Sequence, residues 1–202
     1  TLQGEGAHTG RPPVFLRFAG CKLWSGREVD RAAAVCRYSD TEFYGTSGPG
    51  GGKLATADVK VAAVAARWPT GSTGRYVVCT GGEPLLQLDA TLIDALHGAE
   101  FEVGVERNGT LEAPAGIDWL CISPKAAAPV VQRSGHELKL VYPQEEAEAQ
   151  PEQFADLDFE HFFLQPLDGP ELAENTRLAV EYCLAHPRWK LSLQTHKLLG
   201  ID

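Results

Sequence analysis

The sequence predicts an α/β fold, with parallel strands rolled into a modified, partial (open) TIM-like barrel. Three observations carry that prediction. Short β-branched and aromatic runs alternate with helical or loop segments. Polar residues gather directly after the runs, where the strands of a barrel deliver a site. About six strands are visible, which is too few for closure by eight. No internal repeat and no linker divides the chain, so 1–202 reads as a single domain.

Each element has its own signal. Residues 13–20 (PVFLRFAG) are an apolar strand that ends in Gly20, just before Cys21. A long loop follows over 21–46, with an alanine run that favours a helical turn. Residues 47–53 (SGPGGGK) are flexible by composition. Thr56 is an N-cap and Asp58 sits in the first turn. Val59, Val61, Ala62, Val64, Ala65 and Trp68 then follow at helical spacing up to Pro69. Residues 75–80 (RYVVCT) are a buried strand that breaks at Gly81 and Gly82. A second helix covers 89–97. Strands follow over 101–106, 119–123, 137–142 and 161–166, then a helix over 171–185, and 189–196 (WKLSLQTH) closes the series.

Composition narrows the function. A formal charge of −9 speaks against a nucleic-acid partner, whose phosphates demand a basic face, and favours a small molecule. No stretch approaches the roughly 20 apolar residues of a membrane span. Five cysteines, an odd number spread over 202 residues, make a poor disulfide framework and point to thiols in a reducing cytoplasm. The start, TLQGEG, has neither a signal pattern nor an initiator Met. A few upstream residues, and with them a first strand, are expected to be missing.

Two constellations carry chemistry. Cys21 and Cys36 are separated by fourteen residues, and Ser39 stands where a third cysteine would complete C-x14-C-x2-C. Three thiolates around one open corner are what a [4Fe–4S] cluster with a free iron needs. Two cysteines alone would as readily be buried thiols. Thr80-Gly81-Gly82-Glu83-Pro84 lets backbone approach a ligand at a strand end, although a lone TGGEP is more often a tight turn. Cys79, Cys121 and Cys183 lie in apolar or amphipathic runs and read as core thiols.

A cysteine loop followed one βα unit later by TGGEP resembles the radical S-adenosylmethionine (SAM) superfamily. The likeness narrows with LQGEG (2–6), FLRFAGC (15–21), LWSGR (23–27), Asp40-Thr41, ERNG (106–109), SPK (123–125), Gln165-Pro166 and QTHK (194–197). Together these resemble the 7-carboxy-7-deazaguanine synthase family over nearly the whole chain. That resemblance implies a lyase that converts 6-carboxy-5,6,7,8-tetrahydropterin to 7-carboxy-7-deazaguanine with loss of ammonia, in queuosine and 7-deazapurine biosynthesis. It implies a [4Fe–4S] cluster, SAM and Mg²⁺ as cofactors, a homodimer, and an electron donor such as flavodoxin. Carried onto these positions, Cys21, Cys36 and Ser39 would form the cluster loop. Thr41 would bind Mg²⁺, supported by Asp40. Gln3, Glu5, Gly6, Arg17, Thr80, His196 and Asp202 would bind the pterin. Gly82, Glu83, Glu106, Asn108, Ser123, Lys125 and Gln165 would bind SAM. Arg17, on an apolar strand, is expected to be buried and therefore paired. Ser39, Arg107 (more often Thr in the family) and Lys22 depart from the pattern. The Ser39 departure opens an alternative: a non-catalytic pterin- and SAM-binding module on the same fold.

Overall fold

Seven parallel strands form one sheet whose spatial order is the chain order. They are β1 (Val14–Phe18), β2 (Tyr76–Gly81), β3 (Glu102–Arg107), β4 (Trp119–Ile122), β5 (Ser134–Tyr142), β6 (Asp158–Pro166) and β7 (Trp189–Leu191). β1 and β7 are the two edges, so the barrel is open. The structure, a computed structural model, describes residues 1–41, 43–46 and 50–201.

Alternation along the strands gives the sheet two faces. On the outer face, Val14, Phe18, Val77, Cys79, Val103 and Val105 pack with Leu92, Ile93 and Leu96. Those last three come from α2 (Ala90–Gly98), capped by the Asp89 side chain, which accepts from Leu92 N at 2.9 Å. Each such buried aliphatic side chain contributes about 1.5–3 kcal/mol. α1 (Ala57–Ala65), capped by Thr56, lies beside α2. It ends before Trp68, because the backbone leading into Pro69 disfavours the helical region. A second outer core joins Leu138, Leu140, Phe162, Leu164 and Trp189 to Phe154 and to Ala179 of α3 (Leu172–Ala185).

Three boundaries differ from expectation. β5 and β6 start earlier than their apolar runs, because the polar residues Ser134 and Gly135 pair with Asp158 and Phe159. The last strand stops at Leu191, and residues Thr195–Leu199 form a short helix, α4. The alanine run contributes to a 3₁₀ turn, Glu28–Ala33. All five cysteines are free, and no described helix is long and apolar enough to cross a membrane.

Residues 1–13 run along the inner face. Ala7 N donates to Glu137 Oε2 at 2.9 Å, Gly6 N donates to Ser192 Oγ at 2.9 Å, and the His8 ring lies against Trp119, tilted by 31°. Arg11 forks onto Glu102. The segment thus fills the lumen of the open barrel with polar contacts.

Candidate active site

The inner face opens at the C-terminal strand ends into a cavity of about 1190 Å³. Its wall includes Gln3, Glu5, Arg17, Thr80, Gly82, Glu106, Asn108, Ser123, Lys125, Gln165 and His196, with Cys21, Cys36, Ser39, Asp40 and Thr41 at the loop. Residues expected on two different ligands share one network there. Gln3 Nε2 donates to Glu106 Oε1 at 2.6 Å. Gln165 Nε2 donates to Glu5 Oε1 at 3.2 Å, and Gln194 Nε2 donates to the same oxygen at 2.8 Å.

Lys139 stands at the centre of that network and was missed by the sequence reading. Its buried Nζ lies 2.7 Å from Glu5 Oε2 and 3.9 Å from Glu106 Oε1. Burial pushes Glu5 up, but the Lys139 charge 2.7 Å away and the hydrogen bond from Gln194 outweigh it, so the carboxyl sits below its ordinary range. Burial also raises Glu106; there Lys139 and Gln3 do not compensate for burial and the nearby Glu5 and Glu137, and the net shift is upward. Burial alone would lower Lys139, yet Glu106, Glu5, Cys121 and Glu137 hold it well above the ordinary lysine range. The available signal was alternation: in ELKLVY, Glu137 and Lys139 fall on the face opposite Leu138 and Leu140.

The cysteine loop has a small core of its own. Trp24, Cys36 and Phe43 are buried together, with the Trp24 and Phe43 rings edge to face at 5.3 Å. Arg31 lies over Trp24, and its Nη1 donates to the carbonyls of Arg37 at 2.8 Å and Ser39 at 3.1 Å. Cys21 Sγ receives Leu23 N at 3.4 Å and Asn108 Nδ2 at 3.9 Å. Among the described residues, no three His, Cys, Asp or Glu side chains converge on a metal position. The protein donors that line the cavity for an iron–sulfur cluster would be the Cys21 and Cys36 thiols and the Ser39 hydroxyl. That set fits with one donor weakened, because a serine oxygen is harder and less acidic than a thiol.

Asp40 is engaged by the C-terminal segment. Gln194 Nε2 donates to Asp40 Oδ2 at 2.9 Å, and Lys197 Nζ lies 2.5 Å from that oxygen and 2.5 Å from Asp168 Oδ2. Gln194 thus joins Asp40 of the cysteine loop to Glu5 of the N-terminal segment. Lys125 Nζ donates to Ser123 Oγ at 2.5 Å on the opposite wall.

The structure departs from expectation at Arg17 and Cys121, and it places the Glu83 and Gly6 positions off the cavity wall. Arg17 is not buried: β1 is an edge strand, and its guanidinium is exposed to the cavity, without a carboxylate partner among the described residues. The Glu83 side chain does not line the cavity. It is 1% exposed, with Oε1 accepting from Leu85 N at 3.2 Å and Oε2 from Asn108 N at 3.1 Å. Burial raises Glu83 and lowers Arg107, whose Nε lies 3.8 Å away, so the pair is loosely coupled. At TGGEP it is Gly81 and Gly82 that line the cavity, and Gly81, at φ +117, packs where a Cβ would strike the Phe18 main chain. Gly6 also lies off the cavity wall, beside the Glu137 carboxylate. Asp202 is outside the described residues, as are Ser47, Gly48 and Pro49 of the glycine-rich stretch. Cys79 is a core thiol as expected, pushed up to about 12 by burial. Cys121 instead faces inward, where its thiol donates to Glu137 Oε1 at 3.4 Å.

No family model matches the chain. Curated relatives do. The chain is 63% identical over 201 residues to a 7-carboxy-7-deazaguanine synthase from Caulobacter vibrioides, covering 100% of this chain and 95% of that protein. It is 62% identical, with the same coverage, to the enzyme of that name from Bradyrhizobium diazoefficiens. Its fold is similar to the crystal structure of QueE from Escherichia coli, with a TM-score of 0.70 and 27% identity over 96% of this chain and 90% of that one.

Proposed function

Because the chain belongs to the 7-carboxy-7-deazaguanine synthase family, an enzyme family matched at 62–63% identity along its whole length, we propose that it converts 6-carboxy-5,6,7,8-tetrahydropterin to 7-carboxy-7-deazaguanine with release of ammonia. The observation that carries this reading is one shared cavity: the described positions assigned by resemblance to pterin, SAM, cluster and Mg²⁺ line it together, apart from Gly6 and Glu83. In this reading residues 1–202 act as one radical SAM domain, a cytoplasmic homodimer served by a flavodoxin-like electron donor.

Cys21 and Cys36 would hold a [4Fe–4S] cluster with Ser39, Thr41 and Asp40 would take Mg²⁺, and Gly82, Asn108, Ser123 and Lys125 would hold SAM. When bound, the two cofactors would supply one-electron reductive chemistry and hydrogen-atom abstraction. The chain's own contribution is orientation. Arg17 offers a free planar fork to the substrate carboxylate. Glu5, held ionised, accepts N–H groups of the pterin ring, and Gln3 and Gln165 fix that edge from either side. His196, packed over Gly4, covers the pocket from the C-terminal segment.

Anaerobic reconstitution with iron and sulfide tests the reading, run beside Ser39→Cys. With SAM, Mg²⁺, reductant and the tetrahydropterin, 7-carboxy-7-deazaguanine is expected, with more iron bound by the variant. Pterin binding with no iron uptake in either protein would instead mark a binding module.

A further inference from the structure

We propose that Lys139 is a positioning residue: its single buried ammonium is committed to Glu5 and leaves Glu106 to carry a proton. The pocket then offers its ligand one ionised and one protonated carboxyl. This rests on the pterin reading of the pocket given above.

The argument begins with geometry. Lys139 is on β5, and its side chain is 6% exposed, so its charge cannot be solvated and must be matched by a neighbour. Three inward carboxylates surround it: Glu5 from the N-terminal segment, Glu106 from β3 and Glu137 on its own strand. One ammonium cannot neutralise three anions at low dielectric. The distances decide the sharing, since Glu5 holds Nζ at 2.7 Å and Glu106 stands off at 3.9 Å.

The hydrogen bonds repeat the division. Glu5 Oε1 also receives the two carboxamide donors of Gln165 and Gln194, which only an acceptor can use fully. Glu106 receives one, from Gln3. Glu137 is served separately, by Ala7 N and by the Cys121 thiol. Other charged or titratable neighbours among the described residues are Asp40, which acts on Glu5, Tyr76, whose phenol feels Glu106, and His8, which feels Glu137. The opposite shifts of Glu5 and Glu106 agree with this division. Carboxyls pushed apart in this way take separate acceptor and donor roles towards a ligand.

Two measurements test the inference. The first needs no ligand. Chains carrying ¹³Cδ-labelled glutamate are titrated by carbon NMR, with Glu5→Gln and Glu106→Gln supplying the assignments. Glu5 is expected to ionise well before Glu106. In Lys139→Met the Glu5 transition should rise by about one pH unit or more, and Lys139→Arg should bring it back. Joint titration of Glu5 and Glu106 in the unaltered chain, or an unmoved Glu5 in Lys139→Met, would overturn the proposal. Should Lys139→Met fail to fold, Glu106→Gln decides, because removing the competitor must leave Glu5 ionised at least as readily.

The second measurement is binding of 6-carboxypterin over a pH range that spans the Glu5 transition found by NMR in Lys139→Met. It is scored as the ratio of variant to unaltered Kd, in which the ligand's own titration cancels. For Lys139→Met the ratio should be largest at low pH and shrink as pH rises, by about tenfold for each pH unit below the new Glu5 transition. A ratio constant with pH is what mere structural damage produces, and it would refute the positioning role. If the unaltered chain binds no pterin at any pH, the substrate reading fails, and the ligand-free titration still decides the role of Lys139.

Discussion

Gly4→Ala probes the clamp between the two ends of the chain. A Cβ at Gly4 would fall on the His196 ring, 2.7 Å from Cγ and 3.0 Å from Cβ. The ring Nδ1 would be nearer still, and ordinary contacts lie at about 3.5–4.0 Å, so something must retreat by roughly 1.5 Å. The backbone is poorly placed to do so. Gly4 O accepts from Thr195 N at 2.9 Å and from Thr195 Oγ1 at 3.0 Å. Separating the segments breaks both bonds, at about 1 kcal/mol each. The clash therefore acts on α4, a five-residue helix whose Lys197, Leu198 and Leu199 are exposed. Its local opening should become easier by about 2 kcal/mol, a factor of about 30 in the opening equilibrium. Amide hydrogen exchange at Thr195 reports this directly, and 6-carboxypterin affinity should fall with it as His196 is displaced. Thr195 protection within about twofold of the unaltered chain would refute the clamp.

Three further outcomes are expected. Gly98→Ala, with nothing within 4 Å of the added carbon and no positive φ, should leave Thr195 exchange unchanged and stabilise α2 by about 0.4–1 kcal/mol in thermal unfolding. His8→Gln tests a pH dependence: burial and then Arg11 hold His8 below the ordinary imidazole value of 6.5, against Glu102 and Glu137. The unfolded chain takes that proton more readily, so the His8 contribution is complete above pH 6.5 and is lost as pH falls towards the folded value. The Tm advantage of the unaltered chain over His8→Gln should shrink between pH 7.5 and 5.5, and a constant advantage would disprove it. Glu83→Gln leaves one amide, Leu85 N or Asn108 N, facing an NH₂ group, and should cost about 1–3 kcal/mol of stability. Loss of SAM affinity with Tm unchanged would return the Glu83 carboxylate to the ligand.

The strands were legible because each core-facing run is β-branched or aromatic and seated on one apolar outer face. The starts of β5 and β6 were not, since Ser134 and Asp158 are strand residues only because each is the other's partner. Arg17 was misjudged for the same kind of reason. An apolar neighbourhood in sequence implies burial only for a central strand, and edge position is a property of the sheet. In the site, glycine-rich and cysteine-bearing motifs were visible locally. The contacts that give the carboxylates their states span the chain: Glu5 meets Gln194 across 189 positions and Gln165 across 160. No local window contains both partners of such a pair.

Those long contacts also explain why the substitution at position 39 bears on chemistry more than on shape. The loop path is set by the Trp24, Cys36 and Phe43 core and by Cys36 N donating to Leu23 O at 3.1 Å. Arg31 adds its hold on the carbonyls of residues 37 and 39. Each of these contacts ends on backbone or on a side chain other than that of Ser39. Asp40, the next residue, is fixed independently by Gln194 and Lys197. A serine in place of a cysteine thus leaves the loop's known anchors untouched while exchanging a soft, acidic donor for a hard, weakly acidic one. Ser39→Cys should therefore leave Tm and pterin affinity essentially unchanged and raise iron retention alone. A large change in Tm would mean that position 39 shapes the loop after all.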